Sequence, residues 1–276
     1  LRERLIKNYR SPHVRPGVVE AERVARQARQ QQANAAGESC LVGATGASTA
    51  PPDELQVQVY IDKFEPLDMV QQTYGLGGYL RLMWNDPQLR WNGTADGGCV
   101  DEILFDRAET AGFWNPIVYF ENARTLSLPK ENSQDGLASM FLATPSGDVF
   151  WSRQFEVTLF CKMIKHDGEG ESGIGRLPFD SQTCPFVFGP YAEDASKVSV
   201  RWRDGQEGLL NWRGPCLGEW TLLGIDEVSQ RLEYIGRNYT YARAELRFAR
   251  NPEIWIWSYL LPCIAITVLQ FSGFFI

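Results

Sequence analysis

Histidine is nearly absent from this chain: its 276 residues hold only His13 and His166, and no Cys-x-x-Cys pair accompanies them. A structural zinc site has almost no ligands to draw on. No Ser/His/Asp or Cys/His set, glycine-rich phosphate loop or metal-ligating cluster stands out either, so an enzyme is not expected, and neither a cofactor nor a metal is implied. Excess positive charge is also missing. The net charge of -7 and the pI near 5.1 exclude general nucleic-acid binding as an expectation. The one basic region is the start, where residues 1–30 carry eight Lys or Arg against three acids, and it reads as a solvated helix face. No signal peptide is visible and Leu1 is not a start methionine, which predicts a processed or trimmed N-terminus. Long helical periods are missing from residues 53–250, which argues against an α/β fold.

What the chain does have begins with 44% apolar residues, enough for a sizeable core. Six cysteines occur, at Cys40, Cys99, Cys161, Cys184, Cys216 and Cys263, and the last lies inside an apolar C-terminal run. Two glycosylation acceptor triplets, Asn92-Gly-Thr94 and Asn238-Tyr-Thr240, fit an extracytoplasmic chain in which disulfides persist. The stretch Ile254–Ile276 runs 23 residues without a charge, and as a helix it would cover about 34 Å, enough to cross a bilayer. Trp255, Trp257 and Tyr259 crowd its start, as an aromatic belt at a membrane surface would. A buried core helix is the alternative, although few soluble helices are apolar on every face.

Leu1, Leu5 and Tyr9 share one helical face, and Pro12 and Pro16 end that pattern, predicting a short N-terminal helix within residues 1–17. Residues 18–52 are rich in Ala, Gln, Arg, Gly and Ser and close on Pro51-Pro52, a partly helical or disordered low-complexity insertion. From Asp53 the period changes to two: Leu55, Val57, Val59 and Ile61 alternate with Gln56, Gln58 and Tyr60. The same alternation returns at Leu76–Trp84, Phe155–Cys161, Val198–Trp202 and Ala242–Phe248, separated by Gly, Pro, Asn and Asp clusters. The expected architecture is mainly β: an antiparallel β-sandwich over 53–250, preceded by a short helix and followed by a membrane helix over 251–276. Cys161 continues the apolar side of its strand. It is either a buried free thiol or bonded to Cys184, and the bond, expected here, would stabilise the fold by about 3 kcal/mol.

Six stretches, in order, resemble the pentameric ligand-gated ion channels, the Cys-loop receptors. They are LRERLIKNYRSPHVRPG at the start, WNDPQL (Trp84–Leu89), WNPIVYFEN (Trp114–Asn122), GDVFWSRQFEVTLFC (Gly147–Cys161), Pro178-Phe179-Asp180 with Gln182 and Cys184, and YARAELRFARNPEIWIWSYLLPC. The last reads closer to bacterial members. The chain departs from the family pattern in several places. Twenty-two residues, rather than thirteen, separate Cys161 from Cys184, through an insertion around His166–Ile174, and Ile117 stands where the family has aspartate. Pro190-Tyr191 replaces Ser-Trp, and no adjacent cysteine pair lies between Ser229 and Tyr241.

The resemblance implies an agonist site between subunits, built from aromatic side chains whose ring faces attract an ammonium by up to about 2 kcal/mol each. Glu121, Tyr191 and Tyr234, Tyr239 or Tyr241 fall on the principal face, and Tyr79 and Arg81 on the complementary face. Each tyrosine alone could be strand packing. Arg81, on the same strand side as Tyr79, matches the arginine that holds a ligand carboxylate; its other reading is a surface arginine paired to a neighbouring acid. Pro178, Phe179 and Asp180 would couple ligand capture to the pore, with Arg250 as a charge partner. The implied partners are a small amine or amino-acid-like agonist, identical or related subunits in a pentamer, the lipid bilayer and permeating ions. The implied location is the cell membrane, with residues 1–250 extracellular or periplasmic. Family members have four membrane helices, so a chain that stops after the first is expected to be a truncated subunit. The other reading is a membrane-anchored or shed binding protein without a pore, including a carbohydrate-binding sandwich suggested by nine tryptophans.

Overall fold

The structure, a computed structural model, describes residues 1–36, 51–92, 100–127, 139–163, 174–203, 209–210, 216–217 and 219–273. Cys40, Cys99, Thr94, residues 37–50 of the expected insertion and most of the His166–Ile174 expansion lie outside them, as does the pairing of Cys216.

Helix α1 (Arg2–Asn8) buries Leu5 and is followed by α2 (Pro16–Ala36). Pro16 therefore opens a second helix as well as closing the first pattern, because its fixed φ suits a first helical position and its missing N–H is not needed there. The Ala, Gln and Arg that follow have high helix propensity. The base of α2 is tied to the sandwich through Asp53, which accepts from Arg15 Nη1 at 2.7 Å and from the Gly17 amide at 2.6 Å. Tyr9 donates to Asp86 at 2.5 Å and accepts from the Trp114 amide at 3.0 Å, so α1 is docked by one phenol between two loops.

The strands are β1 (Asp53–Asp68), β2 (Thr73–Asn85), β3 (Ile103–Phe105), β4 (Val118–Phe120), β5 (Ala123–Ser127), β6 (Ser139–Ala143) and β7 (Asp148–Phe160). They continue with β8 (Ser181–Pro190), β9 (Val198–Trp202), β10 (Leu209–Leu210), β11 (Cys216–Leu217), β12 (Trp220–Tyr234) and β13 (Arg237–Arg250). Among the described residues they form an eight-stranded sheet, with the path β10-β1-β2-β7-β6-β3 and with β9 on β1 and β5 on β7, and a five-stranded sheet ordered β11-β12-β13-β8-β4. The two-residue period places Leu55, Val57, Val59 and Ile61 in the core, facing Phe186, Phe188, Ala244, Leu246 and Phe248 of the other sheet.

Pairing is antiparallel except at one edge, where β9 and β10 lie parallel to β1. The expected antiparallel sandwich is thus mixed there. The chain leaving β8 reaches the open edge of β1 running in the same direction, and Thr240 of β13 helps hold it there. Its hydroxyl accepts from the Val200 amide at 2.8 Å and donates to the Val198 carbonyl at 3.4 Å. The Cys161–Cys184 disulfide joins the end of β7 to β8, one strand from each sheet. The acceptor Asn238 is exposed beside the β12–β13 tip, whose Ile235 and Gly236 both have positive φ, as a tight two-residue hairpin turn requires.

Pro252–Gly273 is helical for 22 residues and its apolar stretch is not buried, so within this chain it is not a core helix. It is long and apolar enough to cross a membrane. Its turn Ile256–Leu260 is π-helical and lies just before Pro262, whose absent N–H and bulky ring disfavour regular α pairing with the preceding turn.

Candidate functional site

Three groups of residues singled out from the sequence lie in separate parts of the sandwich. The first is a tyrosine group on the five-stranded sheet. Tyr241 of β13 stands across Gly189 of β8 from Tyr119 of β4. The two phenols hydrogen-bond at 3.2 Å, and the Tyr191 ring meets Tyr119 edge-on at 5.4 Å. Gly189 makes this possible: a Cβ there would sit 2.2 Å from the Tyr241 ring. Burial, then the bond to Tyr119, pushes the Tyr241 phenol well above its ordinary pKa, and Glu121 and Tyr239 add to the shift from nearby. Four of the expected principal-face residues, Glu121, Tyr191, Tyr239 and Tyr241, therefore share one neighbourhood. Tyr234 does not join them; it is exposed at the hairpin tip. Tyr119 was missed by the sequence reading, although it lies two residues before Glu121, where strand alternation would set it on the same side.

The second group lies on the outer face of the eight-stranded sheet. Tyr79 pairs with Tyr60 of β1, their ring centroids 6.3 Å apart, and Arg81 pairs with Gln58. The Arg81 guanidinium lies 5.7 Å from the Tyr60 ring centroid and donates to Gln58 Oε1 at 3.3 Å. The acid required by the surface-pair reading is not found: among the described residues Arg81 makes no ion pair, and its Nε is shielded from solvent without an acceptor. Higher on the same face, a cavity of about 600 Å³ opens beneath the base of α2, lined in part by Gln56, Met83, Phe150 and Arg203. Tyr60, Gln58 and Arg203 were also missed by the sequence reading. Among the described residues no ring contact or hydrogen bond joins Tyr79 or Arg81 to the tyrosine group, which belongs to the other sheet.

The third group is at the base. The Leu177–Pro178 peptide is cis, Phe179 is 66% exposed, and Asp180 turns inward. Arg250, the last residue of β13, donates from Nε to Asp180 at 2.6 Å and from its amide to the Asp180 carbonyl at 3.0 Å, with both side chains fully buried. Glu219, just before β12, accepts from Arg250 and from the Trp255 indole at the start of the C-terminal helix. The guanidinium also stacks 4.2 Å from the Trp220 ring centroid. Glu219 and Trp220 gave no sequence signal, since neither belongs to a motif.

Among the described residues most tryptophans are turned away from solvent, with Trp151 and Trp255 half-buried. Trp84, Trp91, Trp114, Trp202 and Trp220 are buried in the core, and the exposed Trp257 lies on the apolar C-terminal helix.

Comparison with known proteins gives one family. A profile described as the neurotransmitter-gated ion-channel ligand binding domain matches residues 46–252. The chain is 21% identical over 230 residues to the gamma-aminobutyric acid receptor subunit alpha-4 of Rattus norvegicus, covering 82% of this chain and 38% of that protein. It is 24% identical over 222 residues to the glycine receptor subunit beta-type 4 of Caenorhabditis elegans, covering 80% and 43%. To the human gamma-aminobutyric acid receptor subunit gamma-3 it is 19% identical over 226 residues, covering 82% and 44%. The chain thus spans less than half the length of these relatives.

Proposed function

This chain belongs to the neurotransmitter-gated ion-channel ligand-binding domain family, and from that premise we propose that it is the agonist-binding part of a pentameric channel subunit. The observation that carries the proposal is the separation of the two half-sites. The tyrosine group with Glu121 belongs to one sheet and Tyr79 with Arg81 to the other. A ligand can therefore use both only where two copies meet, and a contact between two different surfaces closes naturally into a ring. Arg81 offers a fork to a carboxylate, while Glu121 and the phenols face an amine, so the ligand is a small amino-acid-like zwitterion. Its relatives' names, which mention gamma-aminobutyric acid and glycine receptors, agree with that class.

Capture of the agonist draws the β12–β13 hairpin inward and shifts a two-state equilibrium by the ligand's differential affinity for the two states. The base relays the shift. Strand β13 ends at Arg250, Arg250 holds Asp180 beside the exposed Phe179, and Glu219 links Arg250 to Trp255 on the helix. In the complete subunit this helix is the first of the membrane bundle, and residues 1–250 stand outside the bilayer.

The test uses the full-length channel in membranes, with direct ligand binding and current recording in parallel. Arg81→Ala should weaken agonist binding by about 1.5–3 kcal/mol, the range for a hydrogen bond to a charged group. Pro178→Ala should leave binding intact and reduce opening. Unchanged binding in the Arg81 variant, or a monomeric protein in lipid, would remove the proposal.

A further inference from the structure

The acceptor triplet Asn238-Tyr239-Thr240 lies on β13 just after the β12–β13 turn, and strand geometry gives its residues different surroundings. Strand β13 buries Ala242, Ala244, Leu246 and Phe248 against the other sheet. Two-residue alternation puts Thr240 and Asn238 on that same side, and Tyr239 and Tyr241 on the opposite one. Thr240 is 7% exposed, held by its bonds to Val198 and Val200 of β9. Asn238, past the edge of the sandwich, is exposed.

The Asn238 amide is also unengaged. Elsewhere Asn122 donates to the Phe160 and Pro185 carbonyls, and Asn85 donates to Asp148. Outside its ladder with β12, Asn238 is bonded through its backbone carbonyl, which accepts from the Ala195 amide at 2.7 Å. Its side chain makes no hydrogen bond among the described residues. Beside it, Tyr234 and Ile235 are 68% and 84% exposed, so the hairpin tip presents apolar surface that its own chain leaves uncovered.

We propose that Asn238 carries an N-linked glycan, on the face of the β12–β13 hairpin opposite Tyr239 and Tyr241. The attachment joins Nδ2 to the anomeric carbon of an oligosaccharide as that carbon's bond to a lipid-linked pyrophosphate breaks. Nδ2 gives up one proton, and the pyrophosphate leaves with the bonding pair. The fold also dates the step. An acceptor triplet is recognised through its hydroxyl as well as its asparagine, and the Thr240 hydroxyl is buried once β13 meets β9 across 40 residues of chain. The sugar is therefore added before that contact closes. In the folded protein it extends into solvent and hydrates the apolar tip. A bulky hydrated group stays at the surface, so no second copy packs on this face, and the hairpin meets its neighbour on the tyrosine side. The inference rests on the placement of residues 1–250 outside the bilayer and not on the identity of the agonist.

The experiment maps peptides of the full-length channel after expression through a eukaryotic secretory pathway, before and after treatment with peptide-N-glycosidase. The assembled wild type should yield the Asn238 peptide in glycosylated form, its side-chain amide converted to an acid by the enzyme. Asn238→Gln should lose one enzyme-sensitive mass step with the oligomer size unchanged, whereas Thr240→Ser, which keeps a hydroxyl, should retain that step. Recovery of the unmodified Asn238 peptide from wild-type channel at the cell surface would overturn the proposal, whether or not Asn238→Gln folds. A glycan found on unassembled chains alone would overturn it too, because copies would then pack against this face. If Asn238 is bare while Asn92 carries sugar, the extracellular placement stands without this site; a chain bare at both would tell against the placement as well.

Discussion

Arg250 at the base of the sandwich and Arg81 on its outer face carry the same side chain into opposite situations. Arg250 is fully buried, holds two carboxylates and lies against an indole face, so its charge is compensated within the chain. Arg81 is half-buried, leans over a phenol ring and shares a neutral amide oxygen with another arginine. The first arrangement fixes three chain segments to one another. The second leaves a field for something else to satisfy. A guanidinium compensated within the chain acts as a joint, whereas one without a counter-charge among the described residues suits the ligand-binding role proposed for Arg81.

The comparison can be broken most forcefully at the joint. Arg250→Gln leaves Asp180 buried without its partner and Glu219 without its guanidinium, and removing one member of a buried pair costs about 3–5 kcal/mol. Chemical denaturation of the purified protein should show a loss of that size, with part of it recovered when Asp180→Asn is added. A change no larger than at an exposed arginine would mean that the joint does not hold the base together.

Arg15 with Asp53 is an intermediate case. The pair is formed, but burial outweighs the attraction and raises the Asp53 carboxyl above its ordinary 3.8. A carboxyl with a raised folded pKa binds its proton more tightly folded than unfolded, so its contribution to stability grows as the pH falls through that folded pKa and shrinks as the pH rises. The buried Asp86 shifts in the same direction, again chiefly through burial. Followed from neutral pH towards the carboxylate range, the melting temperature of the wild type should therefore rise relative to that of Asp53→Asn. Identical slopes would show that this pair is as well compensated as the joint.

The smallest effect is expected at the receptor end. Arg81→Gln and Arg203→Gln remove charges that make no ion pair among the described residues, so ligand-free stability should change by no more than about 0.5 kcal/mol. A loss approaching that of Arg250→Gln, seen by the same denaturation, would erase the distinction.

Much of the fold was legible because strand alternation is local. Leu55 to Ile61 and Ala242 to Phe248 announce their buried faces through neighbours two residues away, and the uncharged run after Arg250 announces its length. The same alternation set Tyr79 and Arg81 on one side of one strand. Tyr119 escaped notice because its partner, Tyr241, is 122 residues away and depends on Gly189 for its approach. Arg203 escaped for a similar reason: its place beside Gln58 depends on β9 pairing parallel with β1, and nothing near residue 203 reports that register.

The sequence by itself determined five of the strands with their inward faces, the N-terminal helix and the apolar C-terminal span, because each follows from a period or composition carried by adjacent residues. Through its ordered motifs it also pointed to the family and to Cys161 and Cys184 as partners. Only the tertiary structure decided where each charge finds its counter-charge. Asp180 and Glu219 meet Arg250 from separate segments and Glu219 also holds Trp255, whereas Arg81 and Arg203 meet over Gln58 with no ion pair among the described residues. Electrostatic compensation acts across space between segments brought together by long-range pairing, and the linear order of residues does not encode those distances.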